Sequence, residues 1–285
     1  MPEGTLLALL SAMAFGAALV VTQRGLAYLP ASAGARISIP ATALLLLGLA
    51  PWFFDGRVLG SPALWIFAAV GLFFPVLVTV LTFEANRRMG PTVAGTLGSV
   101  APLLAIGAAV LFLHEPVTVR LLGAGLAVAC GIALLSWTRS GSARNWPWAA
   151  LALPLGAAAL RACAQTLTKV GLQIVPSPYT AALAGYLVST LAVWLLFRRR
   201  GPAAVRWHPR GAGWFVAAGL LNGSAVLAMY GALSQTKLTV VAPIVAAYPA
   251  FTILFAQGML RAERIGIRQA AGAAFVIAGM VLILA

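Results

Sequence analysis

Arg161 lies well inside a long apolar run, with Gln165 four positions on and Thr168 three further along the same helical face. A guanidinium stays charged and offers paired donors that fit a carboxylate or a phosphate. In a lipid-embedded helix such a charge costs at least roughly 2.5 to 3.5 kcal/mol on insertion scales, so the position asks for a reason. Two readings compete: Arg161 engages an anionic group of a bound solute with Gln165 beside it, or it bonds carbonyls freed near Pro154 or another proline-broken helix. Asn222 and Tyr230 share one helical face, as do Thr96 and Ser99, and these serve equally as cavity groups or as helix-to-helix hydrogen bonds. Tyr186 and Tyr248 supply aromatic walls or packing.

The acids sharpen the question. There are five, Glu3, Asp55, Glu84, Glu115 and Glu263, and all fall at or near the ends of apolar runs. Carriers of cationic drugs and many proton-driven carriers use an embedded acid, so the pattern favours a neutral, zwitterionic or anionic solute. Glu84 is the candidate for proton coupling, although Arg87 and Arg88 stand three and four residues on, ready to pair with it. Glu115 and Glu263 read as holders of the fold at loop edges.

Other chemistry finds no footing. His114 and His208 fall at a helix end and in a loop, not in a catalytic cluster, so an embedded enzyme is the weaker class. Cys130 and Cys163 lie inside apolar runs without metal or disulfide spacing and read as small core side chains. Neither metal nor cofactor is expected.

The elements that must carry these residues are membrane helices. Of 285 residues 62% are apolar and 8% charged, and the mean hydropathy is +0.99, which no soluble globular class matches. In hydrocarbon every backbone polar group needs an internal partner, and the alternation of a membrane barrel is missing. The expected fold is therefore an all-α membrane protein. Charges and prolines divide the chain into ten spans: 4 to 23, 31 to 54, 62 to 84, 91 to 113, 119 to 138, 147 to 170, 178 to 197, 211 to 233, 238 to 260 and 267 to 285. The first follows no basic stretch and reads as a retained span rather than a cleaved leader. Seven of the tryptophans fall near span ends, where indole rings favour the interface. Pro75, Pro102, Pro154, Pro243 and Pro249 can bend spans, and Gly219 with Gly223 lets helices approach closely.

Lys and Arg set the orientation. The loops after odd-numbered spans carry 14 of them and the other side four, Arg57, Arg120, Lys169 and Lys237. By that bias both termini face away from the cytoplasm of a bacterial-type inner membrane. The net charge of +14 is thereby a topology signal, and nucleic-acid binding is not expected because the charge is scattered over loops.

The chain also repeats itself. Gly90 to Leu135 parallels Lys237 to Leu284: a proline within a span (Pro102, Pro249), a glutamate at its end (Glu115, Glu263), an arginine five residues on (Arg120, Arg268), then a Gly-rich span. Gln23 to Leu26 likewise parallels Lys169 to Leu172. Two units, 1–140 and 141–285, follow. A duplicated unit of five spans forces the copies into opposite orientations, with a solute site near the midplane between them.

A span ending in Leu-His-Glu or Leu-Arg-Ala-Glu and followed by a Gly-rich span resembles the EamA-type members of the drug/metabolite transporter superfamily, and the resemblance covers nearly the whole chain. It implies export or exchange of amino acids and other metabolites through a cavity lined mainly by spans one, three, four, six, eight and nine. It also implies cytoplasmic termini, opposite to the charge count. The expected partners are a small-molecule substrate and the bilayer. A lipid translocase, a multidrug exporter and a membrane-embedded enzyme are the alternatives. Oligomeric state, driving ion and substrate identity are not legible.

Overall fold

The computed structural model describes residues 3–136, 148–198, 208–260 and 267–284, and these are helical with no strand among them. The helices are α1 (Glu3–Leu26), α2 (Ala31–Phe53), α3 (Pro62–Phe73), α4 (Val76–Gly98), α5 (Ala101–Leu113), α6 (Val119–Ser136), α7 (Trp148–Ile174), α8 (Pro178–Arg198), α9 (Pro209–Gln235), α10 (Leu238–Ala246), α11 (Tyr248–Leu260) and α12 (Ile267–Leu284). Seven segments are long and apolar enough to cross a bilayer, and Ala101–Leu113, Val119–Leu135 and Ile267–Ile283 are shorter apolar helices. The protein is a multi-pass membrane protein. Trp65, near the start of α3, and Trp52, near the end of α2, are 77% and 74% exposed, at helix ends where indole rings favour a membrane interface.

Three expectations need correction. Residues 85–90, read as a loop, are helical, because α4 runs through them and the i,i+4 pair of Glu84 and Arg88 closes at 2.6 Å on its surface. The chain breaks instead at Phe74–Pro75 and at Ser99–Val100. The ninth apolar run is likewise two helices, parted at Ala247, since Pro249 cannot donate to a continuing ladder. Cys130 and Cys163 are within helices as expected, but both are exposed on the outer face rather than packed in the core.

Packing follows the internal repeat with high fidelity. The α1–α9 and α7–α4 contacts exchange when the halves are exchanged; so do α2–α9 with α8–α3, and α1–α11 with α7–α5. Single side chains repeat the pattern. The Thr42 hydroxyl donates to the Gly219 carbonyl at 2.6 Å, and Ser189, 147 positions after Thr42, donates to the carbonyl of Gly71, 148 positions before Gly219, at 2.7 Å. Both glycines are there for proximity: a Cβ on Gly219 would meet the Ser38 backbone, and one on Gly71 the Gly185 backbone. Phe215 fills the space beside Gly25 just as Phe67 fills that beside Gly171. Where α6 meets α12, Gly131 approaches Gly272 and Gly279 approaches Ala124, an interface that is its own image.

The core is lopsided along the bundle. Leu46, Val58, Leu172, Leu233, Leu238 and Val241 are buried together at the end bearing the Arg57, Arg120, Lys169 and Lys237 side. Glu115, only 8% exposed, is the clasp there, accepting from the Leu238 and Thr239 N–H groups at 2.8 and 2.9 Å. It therefore caps the N-terminus of α10, where the first N–H groups have no intrahelical partner. Lys169 donates to the Leu233 and Thr236 carbonyls at 2.6 and 2.9 Å, closing the C-terminus of α9 in the same way. Glu115 thus holds the fold as expected but is more deeply buried than a loop-edge acid. Glu263 lies outside the described residues.

Candidate functional site

Between the halves lies a cavity of about 490 Å³, within the range of small-molecule sites. Its wall takes residues from the second part of α1, the first part of α2, the first half of α4, and the first and central parts of α7 and α9. The α1 segment leads to Arg24, the α2 segment contains Arg36, Ala85 is followed by Arg87 and Arg88 in the same helix, and α9 starts beside Arg210, while Arg139, Arg144 and Arg206 lie outside the described residues. The cavity therefore extends from mid-depth toward the side of those arginines, and the Glu115–Lys169 end is packed shut. Two helix breaks reach it, since Gly98, Ala101 and Pro102 on one side and Ala246, Tyr248 and Pro249 on the other all belong to its wall.

Five sequence candidates meet here: Arg161, Gln165, Tyr186, Asn222 and Tyr248. An Arg161 Nη donates to the Tyr248 hydroxyl at 3.3 Å, and its guanidinium carbon stands 6.0 Å from the Tyr248 ring centroid. The Arg161 Nε is buried without a hydrogen-bond partner, and among the described residues no carboxylate forms an ion pair with Arg161. Gln165 is itself buried and directs its amide to the Met229 sulfur at 3.6 Å. Phe15 also packs against Tyr248, with ring centroids 6.3 Å apart.

The other candidates are elsewhere. Tyr230 is buried in the packed end, because α9 carries it a full eight residues past Asn222 and out of the open half. Ser99 is buried at the α4–α5 break and off the cavity wall, and the Thr96 side chain lies outside the described residues. Glu84 sits on α4 paired to Arg88, away from the wall, with the Arg87 side chain again outside the described residues. Thr168 is buried one turn beyond the cavity. His114 caps the end of α5 in a left-handed conformation (φ 51°), and His208 caps the start of α9, its Nδ1 accepting from the Gly211 N–H at 3.3 Å. Among the described residues no group of His, Cys, Asp or Glu could hold a metal ion.

Sequence reading missed Phe15, Leu19, Phe74 and Phe215 on the wall, which an apolar residue type in an apolar run could not signal. It also missed the second span as a wall: Gly34, Ser38 and Thr42 of α2 line the cavity beside the expected first, third, fourth, sixth, eighth and ninth.

The EamA-like transporter family matches the chain twice, over residues 2–137 and 147–285. The chain belongs to that family. This EamA-like protein is accordingly a membrane transporter of small molecules. A crystal structure of another protein shares its fold, with a TM-score of 0.83 at 16% identity over 98% of this chain and 95% of that one. No curated protein matches the EamA-like chain in sequence.

Proposed function

We propose that this protein is a secondary carrier that exports small zwitterionic or anionic metabolites, amino acids among them, by alternating access. In this reading the chain makes ten spans, arranged as two inverted five-helix repeats over 1–140 and 141–285, in a bacterial-type inner membrane. The observation that carries it is Arg161. A cation stands on the wall of a mid-depth cavity with its Nε unsatisfied and no acid paired to it, which leaves an anionic solute as its natural partner. Inversion is supported by the placing of equivalent residues at opposite depths. Thr22 and Thr82 line the open half, whereas Thr168 and Tyr230, their equivalents in the second repeat, are buried toward the packed end.

The cavity leads toward the loops that the charge bias assigns to the cytoplasm, so this conformation is ready to load from the inside. Proton coupling is not part of the proposal, because Glu84 is already paired to Arg88 and stands off the wall. Nothing in the reading requires catalysis. The test is flux in proteoliposomes with a panel of amino acids, organic acids, lipids and cationic dyes. Carboxylate-bearing solutes are expected to move, and Arg161→Gln to lose at least tenfold of that flux while Arg161→Lys keeps part. Normal flux by Arg161→Gln would refute the assignment.

A further inference from the structure

The two repeats place equivalent residues on the wall of one cavity, and although Val78 and Val226, and Pro102 and Pro249, are alike, several other pairs differ in chemistry in one direction. Arg161 and Phe15 are 146 positions apart, as are Gln165 and Leu19, and all four line the cavity. The same holds for Asn222 and Phe74, at 148, and for Tyr248 and Ala101, at 147. At each of these four pairs the second repeat contributes the polar member and the first the apolar one. The asymmetry is stronger than the residue names suggest, because hydroxyls on the first-repeat wall are already engaged. Thr42, Thr79 and Thr82 donate to backbone carbonyls at 2.6, 2.8 and 2.7 Å, leaving Thr22 and Ser38 as its remaining hydroxyls.

Charge is equally one-sided. The described wall contains Arg161 and no aspartate or glutamate. The helix breaks do not redress this, since each brings a C-terminal end and an N-terminal end together at the cavity, and their opposite partial charges largely offset. A full positive charge therefore has no full negative counterpart for an ammonium group. We infer that the solute is an amphipathic monoanion, its carboxylate held by Arg161, Gln165, Asn222 and Tyr248 and its apolar or aromatic body laid against Phe15, Leu19 and Phe74. The inference rests on the carrier reading above and narrows it. Within the anionic and zwitterionic solutes it selects those with one negative charge, no ammonium and a substantial apolar body.

A matched set of probes tests it on the purified full-length protein in detergent. 3-Phenylpropanoate is phenylalanine without its ammonium, phenethylamine is phenylalanine without its carboxylate, and propanoate lacks the ring. Binding is read by calorimetry and by the shift of the melting temperature. 3-Phenylpropanoate is expected to bind at least tenfold more tightly than either phenylalanine or propanoate, and phenethylamine not to bind. Leu19→Asn is expected to weaken 3-phenylpropanoate at least fivefold more than it weakens propanoate, a split that general loss of folding would not produce. Phenylalanine binding as tightly as 3-phenylpropanoate, no advantage of the ring, or no binding by any probe overturns the inference. The carrier reading survives that result if Arg161→Gln still abolishes whichever carboxylate moves in proteoliposomes. Undiminished binding of 3-phenylpropanoate by Arg161→Gln overturns both.

Discussion

Tyr248 is one point where the two repeats touch on the cavity wall, approached by the Arg161 guanidinium from one half and the Phe15 ring from the other. Its hydroxyl accepts from Arg161 and fixes the fork's direction, so Tyr248→Phe should weaken carboxylate binding by about three- to tenfold, the worth of one neutral acceptor. Titration calorimetry reads this directly. Thr42 and Ser189 provide a second test at this scale. Each donates across a helix pair to a glycine carbonyl, and Thr42→Val and Ser189→Ala should each cost about 1 kcal/mol, seen as comparable falls in melting temperature. What was legible here was whatever broke the apolar background. Arg161 and Gln165 announced themselves by being polar in mid-run, whereas Phe15 and Leu19 could not, since an apolar side chain facing a cavity reads the same as one facing lipid. Tyr230 misled for a related reason: periodicity fixes a face of a helix but not the depth at which a cavity stops.

Among the elements, the breaks matter more than the helices. Pro102 and Pro249 each sit second in a helix that starts at the cavity, and the sequence marked both prolines as bends within single spans, not as breaks. The loop expected at 85–90 was a misreading of Asn86, Arg87, Arg88 and Gly90 as punctuation, where the Glu84–Arg88 pair instead continues the turn. Lys169 looked like a loop charge, and its closure of α9 depends on a carbonyl 64 positions away that no local pattern reveals. Glu115 does the converse for α10. Replacing it with alanine strands two buried N–H groups and should destabilise the protein by about 2 kcal/mol, measured as a lower melting temperature in detergent. Glu115→Gln, which keeps one good acceptor, should recover part of that loss.

At the scale of the molecule, the duplication was legible from its landmarks, and the packing extends it to side chains that no landmark marked, such as Phe67 and Phe215. Orientation stands on the charge bias alone. A reporter fused after Ala285 is expected to be active as a secreted phosphatase and dark as a fluorescent protein; the reverse result places the termini in the cytoplasm and turns the cavity outward. The matched contacts carry a thermodynamic consequence. When a duplicated carrier inverts, each contact in one repeat is exchanged for its image in the other, and pairs such as Thr42–Gly219 and Ser189–Gly71 contribute nearly equally to both conformers. Their energies cancel, so the equilibrium constant between conformers is set by the few places where the copies differ. Lys169, clamping the packed end, has Gln23 as its image, a neutral amide in place of a cation. Under the proposed alternating access, that mismatch would bias the resting population toward the conformer seen here. Lys169→Gln should bring the ratio nearer to one, read as a second distance population between spin labels at the two ends of the bundle.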